Sequence, residues 1–83
     1  MAVASLPLTM DDANKHLARQ LSLRARRRSA GLSIDEAGRR AGVERSRISR
    51  GERGYGALHP EEIDRLETVI AAALSRRNAG SVW

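Results

Sequence analysis

The stretch of residues 32–54, LSIDEAGRRAGVERSRISRGERG, limits the possible folds of this 83-residue chain more than any other. Ser33 is a favourable N-cap, and the two acidic residues after it would lie in the first turn of a helix, where negative charge is stabilising. Gly42 suits the left-handed position that follows a helix, so a short helix is predicted to end just before it. A second helix is predicted over residues 44–53, with Gly54 to end it.

Two short helices joined by three or four residues that include a glycine form a helix-turn-helix. In this chain the motif would occupy residues 33–53, and its second helix would carry several arginines and two serines. Arginine can donate two hydrogen bonds to guanine, and a helix placed in this way can enter the major groove of DNA. The motif therefore predicts a DNA-binding helix at residues 44–53.

The same stretch resembles the Cro/repressor-type (xenobiotic-response-element-type) helix-turn-helix family, whose pattern reads L-S-x-x-x-L-A-x-x-x-G-V-S-x-x-x-I-S-x-x-E-x-G. Eight positions match without a gap: Leu32, Ser33, Gly42, Val43, Ile48, Ser49, Glu52 and Gly54. The departures are a polar residue replaced by Ile34 and unusually small residues at Ala37, Gly38, Ala41 and Gly51. The resemblance implies a compact, all-α, repressor-like domain of four to five helices that regulates transcription.

The resemblance also implies one structural ion pair. Relatives carry an arginine seven residues before the position of Ile34, and that arginine meets the glutamate of the E-x-G ending. Arg27 and Glu52 occupy these two places here. The alternative is that Arg27 belongs to an exposed run with Arg26 and Arg28, and that one of these neighbours pairs instead.

Two longer helices are predicted to flank the motif. A first helix is expected over residues 10–29, with a buried stripe at spacing i, i+4 made of Ala13, Leu17, Leu21 and Ala25. Pro60 suits a first helical position, so a last helix is expected over residues 60–77. Its predicted buried stripe is Ile63, Leu66, Ile70, Ala73 and Leu74.

These elements define the predicted organisation of the chain. Residues 9–77 would form one helix-turn-helix DNA-binding domain, between a flexible N-terminal arm at residues 1–8 and a C-terminal tail at residues 78–83. No segment has the alternating pattern of a strand.

Gly38 stands where relatives carry alanine, at the point where the two motif helices approach each other. Glycine there is expected to lower stability by about 1 kcal/mol relative to alanine.

The charge is concentrated on the predicted motif and the helix before it. The net charge is +5. Residues 19–53 hold eleven arginines against four acidic residues, a net of +7, while each flank is −1. A dense basic patch favours a polyanionic partner, although solvated helix surface is the alternative for any charge run. The patch coincides with the motif, which favours nucleic acid.

Several classes of protein are disfavoured by the composition. Without cysteine there is no disulfide framework, and without a long apolar run or a basic leader there is no predicted membrane span or signal peptide. His16 and His59 have no metal-ligand pattern around them, and His16 is expected to be exposed. No catalytic residue, metal or cofactor is therefore predicted, and the chain is expected to be a non-enzymatic, cytoplasmic protein.

The candidate DNA contacts follow from their position in the motif. The base contacts are expected near the N-terminal end of the second motif helix, at Arg45, Ser46, Ser49 and Arg50. The candidate contacts to the DNA backbone are Ser33, Arg47, Arg53 and Tyr55. Each arginine has the alternative role of a phosphate contact without sequence information, and Tyr55 has the alternative of covering the core.

The sequence thus predicts a sequence-specific DNA-binding transcriptional regulator, a repressor of phage or mobile-element type. It would bind a near-palindromic operator in double-stranded DNA as a homodimer. Trp83 is a candidate interface residue, with the alternative that it folds back over the core. A second hypothesis is an antitoxin or adaptor that acts mainly by binding a partner protein. RNA binding is a third, and it is disfavoured because Tyr55 and Trp83 are the only aromatic residues.

Overall fold

A computed structural model describes residues 10–56 and 58–80, which form an all-α fold. The helices are α1 (Met10–Ser29), α2 (Ile34–Ala41), α3 (Arg45–Arg53) and α4 (Pro60–Gly80), and these residues include no strand. The predicted fold class is confirmed, with four helices in this part of the chain. The predicted arm at residues 1–8 and Trp83 lie outside the described residues.

The corner between α2 and α3 has the predicted cap chemistry. The Ser33 hydroxyl oxygen accepts a 3.0 Å hydrogen bond from the backbone N–H of Glu36. Gly42 follows α2 with φ +71°, and its N–H donates to the carbonyl of Gly38 at 2.8 Å. Gly54 ends α3 with φ +82°, a conformation that glycine adopts without strain. Both ends of α2 and the C-terminal end of α3 therefore follow from their local sequence, whereas Glu44 makes no side-chain capping hydrogen bond at the start of α3.

The core lies where the four helices meet, and it consists of small and aliphatic residues. Its members are Leu23, Ala30, Leu32, Ala37, Ala41, Val43, Ile48, Leu58, Ile63, Leu66, Ile70 and Ala73. Four of the five residues predicted to be buried on α4 are among them, and Leu74 packs against the cluster. Helix α4 is three residues longer than predicted, because Asn78 and Ala79 continue it up to Gly80.

The predicted buried face of α1 is wrong. Leu17 and Leu21 are each 45% exposed, and Ala13 and Ala25 are also exposed. The residues that α1 and its end bury are Gln20, Leu23, Arg27 and Ala30. The apolar stripe did not identify the buried face, because two residues of that face, Gln20 and Arg27, are polar and have partners elsewhere in the fold.

Gln20 connects α1 to the end of α3 and to the loop that follows. Its amide nitrogen donates to the carbonyls of Gly51, at 3.1 Å, and Gly56, at 2.8 Å. Its carbonyl oxygen accepts the backbone N–H of Leu58 at 2.8 Å. His16, predicted to be exposed, is half-buried, and its Nε2 donates to the carbonyl of Leu58 at 2.9 Å. These hydrogen bonds fix the position of α3 relative to α1.

Two glycines within helices allow neighbouring segments to approach more closely than alanine would. A Cβ atom on Gly38 would lie 2.6 Å from the carbonyl oxygen of Val43. A Cβ atom on Gly51 would lie 2.8 Å from Cδ1 of Leu58. Both distances are far below van der Waals contact, so the expectation that Gly38 fills a position suited to alanine is wrong for this packing.

Candidate nucleic-acid interface

Helix α3 has a buried side and an opposite, polar side. Ile48, Gly51 and Glu52 are buried. The opposite side carries residues at spacing i, i+3, i+4 and i+7, which lie on one face of a helix. These residues form the recognition face: Ser46, Ser49, Arg50 and Arg53. Three of the four predicted base contacts therefore lie together on one polar face, with Arg53 at its end.

Arg45 lies at the edge of the recognition face, beside α2. Its NH1 atom is 3.2 Å from Oδ1 of Asp35, and the two side chains are 71% and 65% exposed. A pair this exposed contributes little to stability, so a DNA contact can replace it at small cost. Ser46 Oγ donates to the Glu44 carboxylate at 3.1 Å, a contact between neighbours that DNA could also replace.

Arg47 lies at the other edge, where it contacts α4. Its NH2 and Nε atoms donate to Oε1 and Oε2 of Glu62 at 2.7 and 3.0 Å. Glu62 Oε1 also accepts the backbone N–H of His59 at 2.7 Å, which caps the start of α4. The hydrogen bond from Arg47 holds the pKa of Glu62 below its ordinary value. Arg47 therefore ties α3 to α4, a role that competes with its predicted contact to the DNA backbone.

Beneath the recognition face, Arg27 and Glu52 form the ion pair that the family resemblance implied. Arg27 Nε and NH2 donate to the two carboxylate oxygens of Glu52 at 2.7 and 2.9 Å. Arg27 NH1 donates to the carbonyl of Leu32 at 2.8 Å. The hydrogen bonds to Glu52 raise the pKa of Arg27 above its ordinary value. The neighbouring Arg26 instead contacts Glu67, at 3.1 Å.

The two remaining predicted backbone contacts, Ser33 and Tyr55, are both exposed. The Ser33 oxygen accepts the capping hydrogen bond of α2, and its hydroxyl proton can still donate to another group. Tyr55 is 81% exposed. Its backbone N–H donates to the carbonyl of Arg50 at 2.9 Å. Because its ring lies in solvent, the alternative role of Tyr55 as a cover of the core is wrong.

Part of the basic patch is neutralised by acidic residues within the fold. Arg19 contacts both Asp64, at 2.7 Å, and Glu67, at 2.8 Å, so it joins α1 to α4. Other arginines of the patch have no such partner in the described part of the chain. Within residues 10–56 and 58–80, Arg24, Arg50 and Arg53 have no carboxylate within 4.0 Å. Among the same residues, Arg28 is the fourth arginine of α1 and α3 without such a partner, so three of these four charges lie on or beside the recognition face.

Sequence reasoning missed two residues beside this face. A cleft of about 100 Å³ lies between α1, α2 and α3, and Arg24 and Ile34 line it together with Ser49 and Arg53. Arg24 lies on α1, outside the motif, and its distance along the chain from α3 hid this relationship. A helical projection of residues 20–27 would have placed Arg24 next to the buried Arg27, but only once the buried face of α1 was known.

The part of the chain that the structure describes contains no group of three or more His, Cys, Asp or Glu side chains that could bind a metal ion. In the same residues, no helix has both the length and the apolar character needed to cross a membrane.

Residues 16–79 match the model of a family described as a helix-turn-helix domain. The match includes most of α1, the whole motif and nearly all of α4. No curated protein and no solved structure matches the chain. The family description names the motif without a subtype, so the Cro/repressor resemblance rests on the residues of the stretch 32–54.

Proposed function

Because the chain belongs to the helix-turn-helix domain family, which indicates a DNA-binding regulator, we propose that it is a sequence-specific transcriptional repressor of phage or mobile-element type. In this proposal α3 enters the major groove of an operator. The protein would act in the cytoplasm. The observation that carries the proposal is the recognition face, where two hydroxyls and two arginines lie together on the side of α3 opposite the core.

The proposed base contacts come from the first two turns of α3. Arg45, Ser46 and Arg50 are exposed there. The N-terminal part of a recognition helix lies deepest in the groove. The proposed backbone contacts are Ser33 at the start of α2 and Arg53 and Tyr55 at the end of α3, and all three are exposed. Phosphate contacts from such positions fix the orientation of a helix in the groove but do not identify bases.

We also propose that the protein binds its operator as a homodimer. One short helix contacts only a few base pairs, whereas two copies related by a two-fold axis would contact two half-sites about 34–36 Å apart. The surface for pairing is expected on α4 and the C-terminal tail, away from the recognition face. Ala72 is exposed and Val69 half-buried on that helix, which supports this choice. Sedimentation of the full chain and of one lacking residues 81–83 would test it.

The decisive experiment is selection of bound duplexes from a random DNA pool. Wild-type protein should enrich a near-palindrome with a fixed half-site spacing. Arg45→Ala should lose base preference at one position in each half-site, with a cost of roughly 1–3 kcal/mol for the preferred base. If Arg45→Ala weakened every sequence equally, Arg45 would be a phosphate contact. If wild-type protein enriched no sequence, the proposal of a specific operator would be wrong.

One observation favours the second candidate, an antitoxin or adaptor that acts mainly by binding a partner protein. Leu17 and Leu21 are each 45% exposed, one turn apart on α1, and contiguous exposed apolar surface can mark a site of protein contact. The double variant Leu17→Ser/Leu21→Ser separates the two candidates. A repressor should keep its operator affinity, whereas an adaptor should lose the protein encoded beside its own gene from the complex.

A further inference from the structure

The cleft beside the recognition face has an excess of positive charge. Its charged lining consists of Arg24 from α1, Arg53 from α3, and the pair formed by Arg27 and Glu52. The pair is bidentate, with contacts of 2.7 and 2.9 Å, so its two charges compensate each other. Arg24 and Arg53 have no carboxylate partner among the described residues. The lining therefore has a net charge of +2 at neutral pH.

The remaining lining suits an oxygen-rich anion. Ser49 contributes a hydroxyl, which can donate a hydrogen bond, and Ile34 forms an apolar wall. A single water molecule needs roughly 10–15 Å³ of such space, and the cleft measures about 100 Å³. A tetrahedral phosphate group therefore fits. Arginine forms its strongest hydrogen bonds with groups of this kind, because two N–H donors can contact two phosphate oxygens.

We propose that this cleft binds one phosphodiester group of the DNA backbone, between the guanidinium groups of Arg24 and Arg53, with Ser49 as a third donor. The inference rests on the proposed function and deepens it. It makes Arg24 a DNA-binding residue outside the motif, and it assigns Ser49 to the backbone instead of to a base. A phosphate bound here would fix α3 along the groove, because Arg53 and Ser49 belong to that helix.

The position of the cleft favours DNA over a free phosphorylated small molecule. Ser49 and Arg53 line the cleft and also belong to the recognition face, which they share with Ser46 and Arg50. A ligand that covers this face and fills the cleft must extend along α3. A duplex does so, since its backbone follows the edge of the groove into which the helix inserts.

The pair of Arg27 and Glu52 has a specific part in this arrangement. A carboxylate in the wall of the cleft would repel phosphate if its charge were uncompensated. Arg27 donates to both carboxylate oxygens of Glu52 and so removes that repulsion. The pair thus allows an acidic residue to occupy the wall of an anion site.

Arg24→Ala tests the proposal, with Arg28→Ala as the matched control. Both arginines are exposed on α1, four residues apart, but Arg28 does not line the cleft. Arg24→Ala should weaken binding to all duplexes by a similar factor, roughly tenfold, as expected for a hydrogen bond to a charged group. It should also reduce the dependence of log K on log salt by roughly 0.9. Arg28→Ala should change affinity less than twofold.

A duplex series with one neutral methylphosphonate at successive positions locates the contact. At one position in each half-site, the methylphosphonate should lower the affinity of wild-type protein by the same factor that Arg24→Ala lowers it on ordinary DNA. The same methylphosphonate should not lower the affinity of Arg24→Ala any further. Equal affinity of Arg24→Ala and wild type for ordinary DNA would overturn the inference and leave the proposed function intact. Failure of wild-type protein to bind any duplex would overturn both.

A titration with inorganic phosphate, at constant ionic strength and without DNA, separates the two sources of phosphate. Weak binding, in which the amide signals of Ser49 and Arg53 shift only at high millimolar phosphate, supports a site that needs the rest of the duplex. Saturation at micromolar phosphate would identify a free anion as the ligand and overturn the assignment to DNA. Melting curves of both variants should match wild type, because neither side chain has an ion-pair partner in the described residues.

Discussion

The guanidinium of Arg27 and the carboxylate of Glu52 meet in two hydrogen bonds, of 2.7 and 2.9 Å, that join α1 to α3. The two side chains are only 10% and 3% exposed. The same guanidinium donates to the carbonyl of Leu32, just before α2. One arginine of α1 thus contacts both α3 and the segment that leads into α2, so the orientation of α3 depends on it.

Removal of Glu52 should destabilise the protein far more than removal of an exposed acid. Glu52→Ala leaves the Arg27 guanidinium buried without a counter-charge, which should cost about 3–5 kcal/mol. Glu36→Ala, which breaks an exposed pair with Arg40, should cost less than about 1 kcal/mol. Urea unfolding measures both. The double variant Arg27→Met/Glu52→Leu should recover most of the loss, and a small loss in Glu52→Ala would contradict the buried pair.

Gln20 should be more important for stability than the exposed leucines of the same helix. Gln20→Leu removes the partners of two carbonyls and one N–H. Each of these backbone groups that stays buried without a hydrogen bond should lower stability by about 1–3 kcal/mol. Leu17→Gln is the control, and its effect should stay within about 0.5 kcal/mol, as is usual for surface substitutions. Hydrogen exchange at the Leu58 amide should accelerate in Gln20→Leu and remain slow in the control.

Alanine at position 38 should destabilise the protein although alanine is the better helix former. The gain in helix propensity is about 1 kcal/mol. The new methyl group would meet the carbonyl of Val43 at 2.6 Å, and backbone cannot rotate away as a side chain can. Overpacking of this kind costs about 1–3 kcal/mol. Gly51→Ala, whose methyl meets the Leu58 side chain, should lose less, and equal melting temperatures for Gly38→Ala and wild type would contradict the close packing.

The features that the sequence predicted correctly are those set by neighbouring residues. The cap at Ser33 and the left-handed glycines at 42 and 54 depend on hydrogen bonds within about five residues, so a short pattern contains all the information. The stripe of α4 was also predicted because that helix packs on the core through aliphatic residues alone. The Arg27–Glu52 pair, 25 residues apart, came only from resemblance to a family.

The features that the sequence did not predict depend on distant partners. Gln20 is buried because three backbone groups of residues 51, 56 and 58 meet its amide, and nothing near Gln20 in the sequence indicates this. The hydrophobic period therefore selected the wrong face of α1. The partner of Arg47 was missed for the same reason. Glu62 lies on α4, and only the tertiary packing of the helices brings the two side chains together.

Stability should fall in acid, and Glu67 should account for part of the fall. The hydrogen bond from Arg19 holds the pKa of Glu67 below its ordinary value of 4.5. Above pH 4.5 Glu67 is charged in both the folded and the unfolded chain, and its pairing with Arg19 stabilises the fold. As pH falls below 4.5, the unfolded chain binds a proton first, so this stability is lost down to the lower folded pKa. Melting temperatures from pH 7 to 3 should decline less steeply in Glu67→Gln than in wild type.

Arg47 and Arg53 should have opposite roles although both are arginines of α3. Arg47→Ala breaks the two hydrogen bonds to Glu62, so it should lower the melting temperature and leave the salt dependence of DNA binding unchanged. Arg53 is exposed and has no ion-pair partner among the described residues. Arg53→Ala should therefore keep the melting temperature and reduce the slope of log K against log salt by about 0.9. If Arg47→Ala reduced the slope as much as Arg53→Ala, Arg47 would leave Glu62 when DNA binds, and the contact predicted from the sequence would be correct.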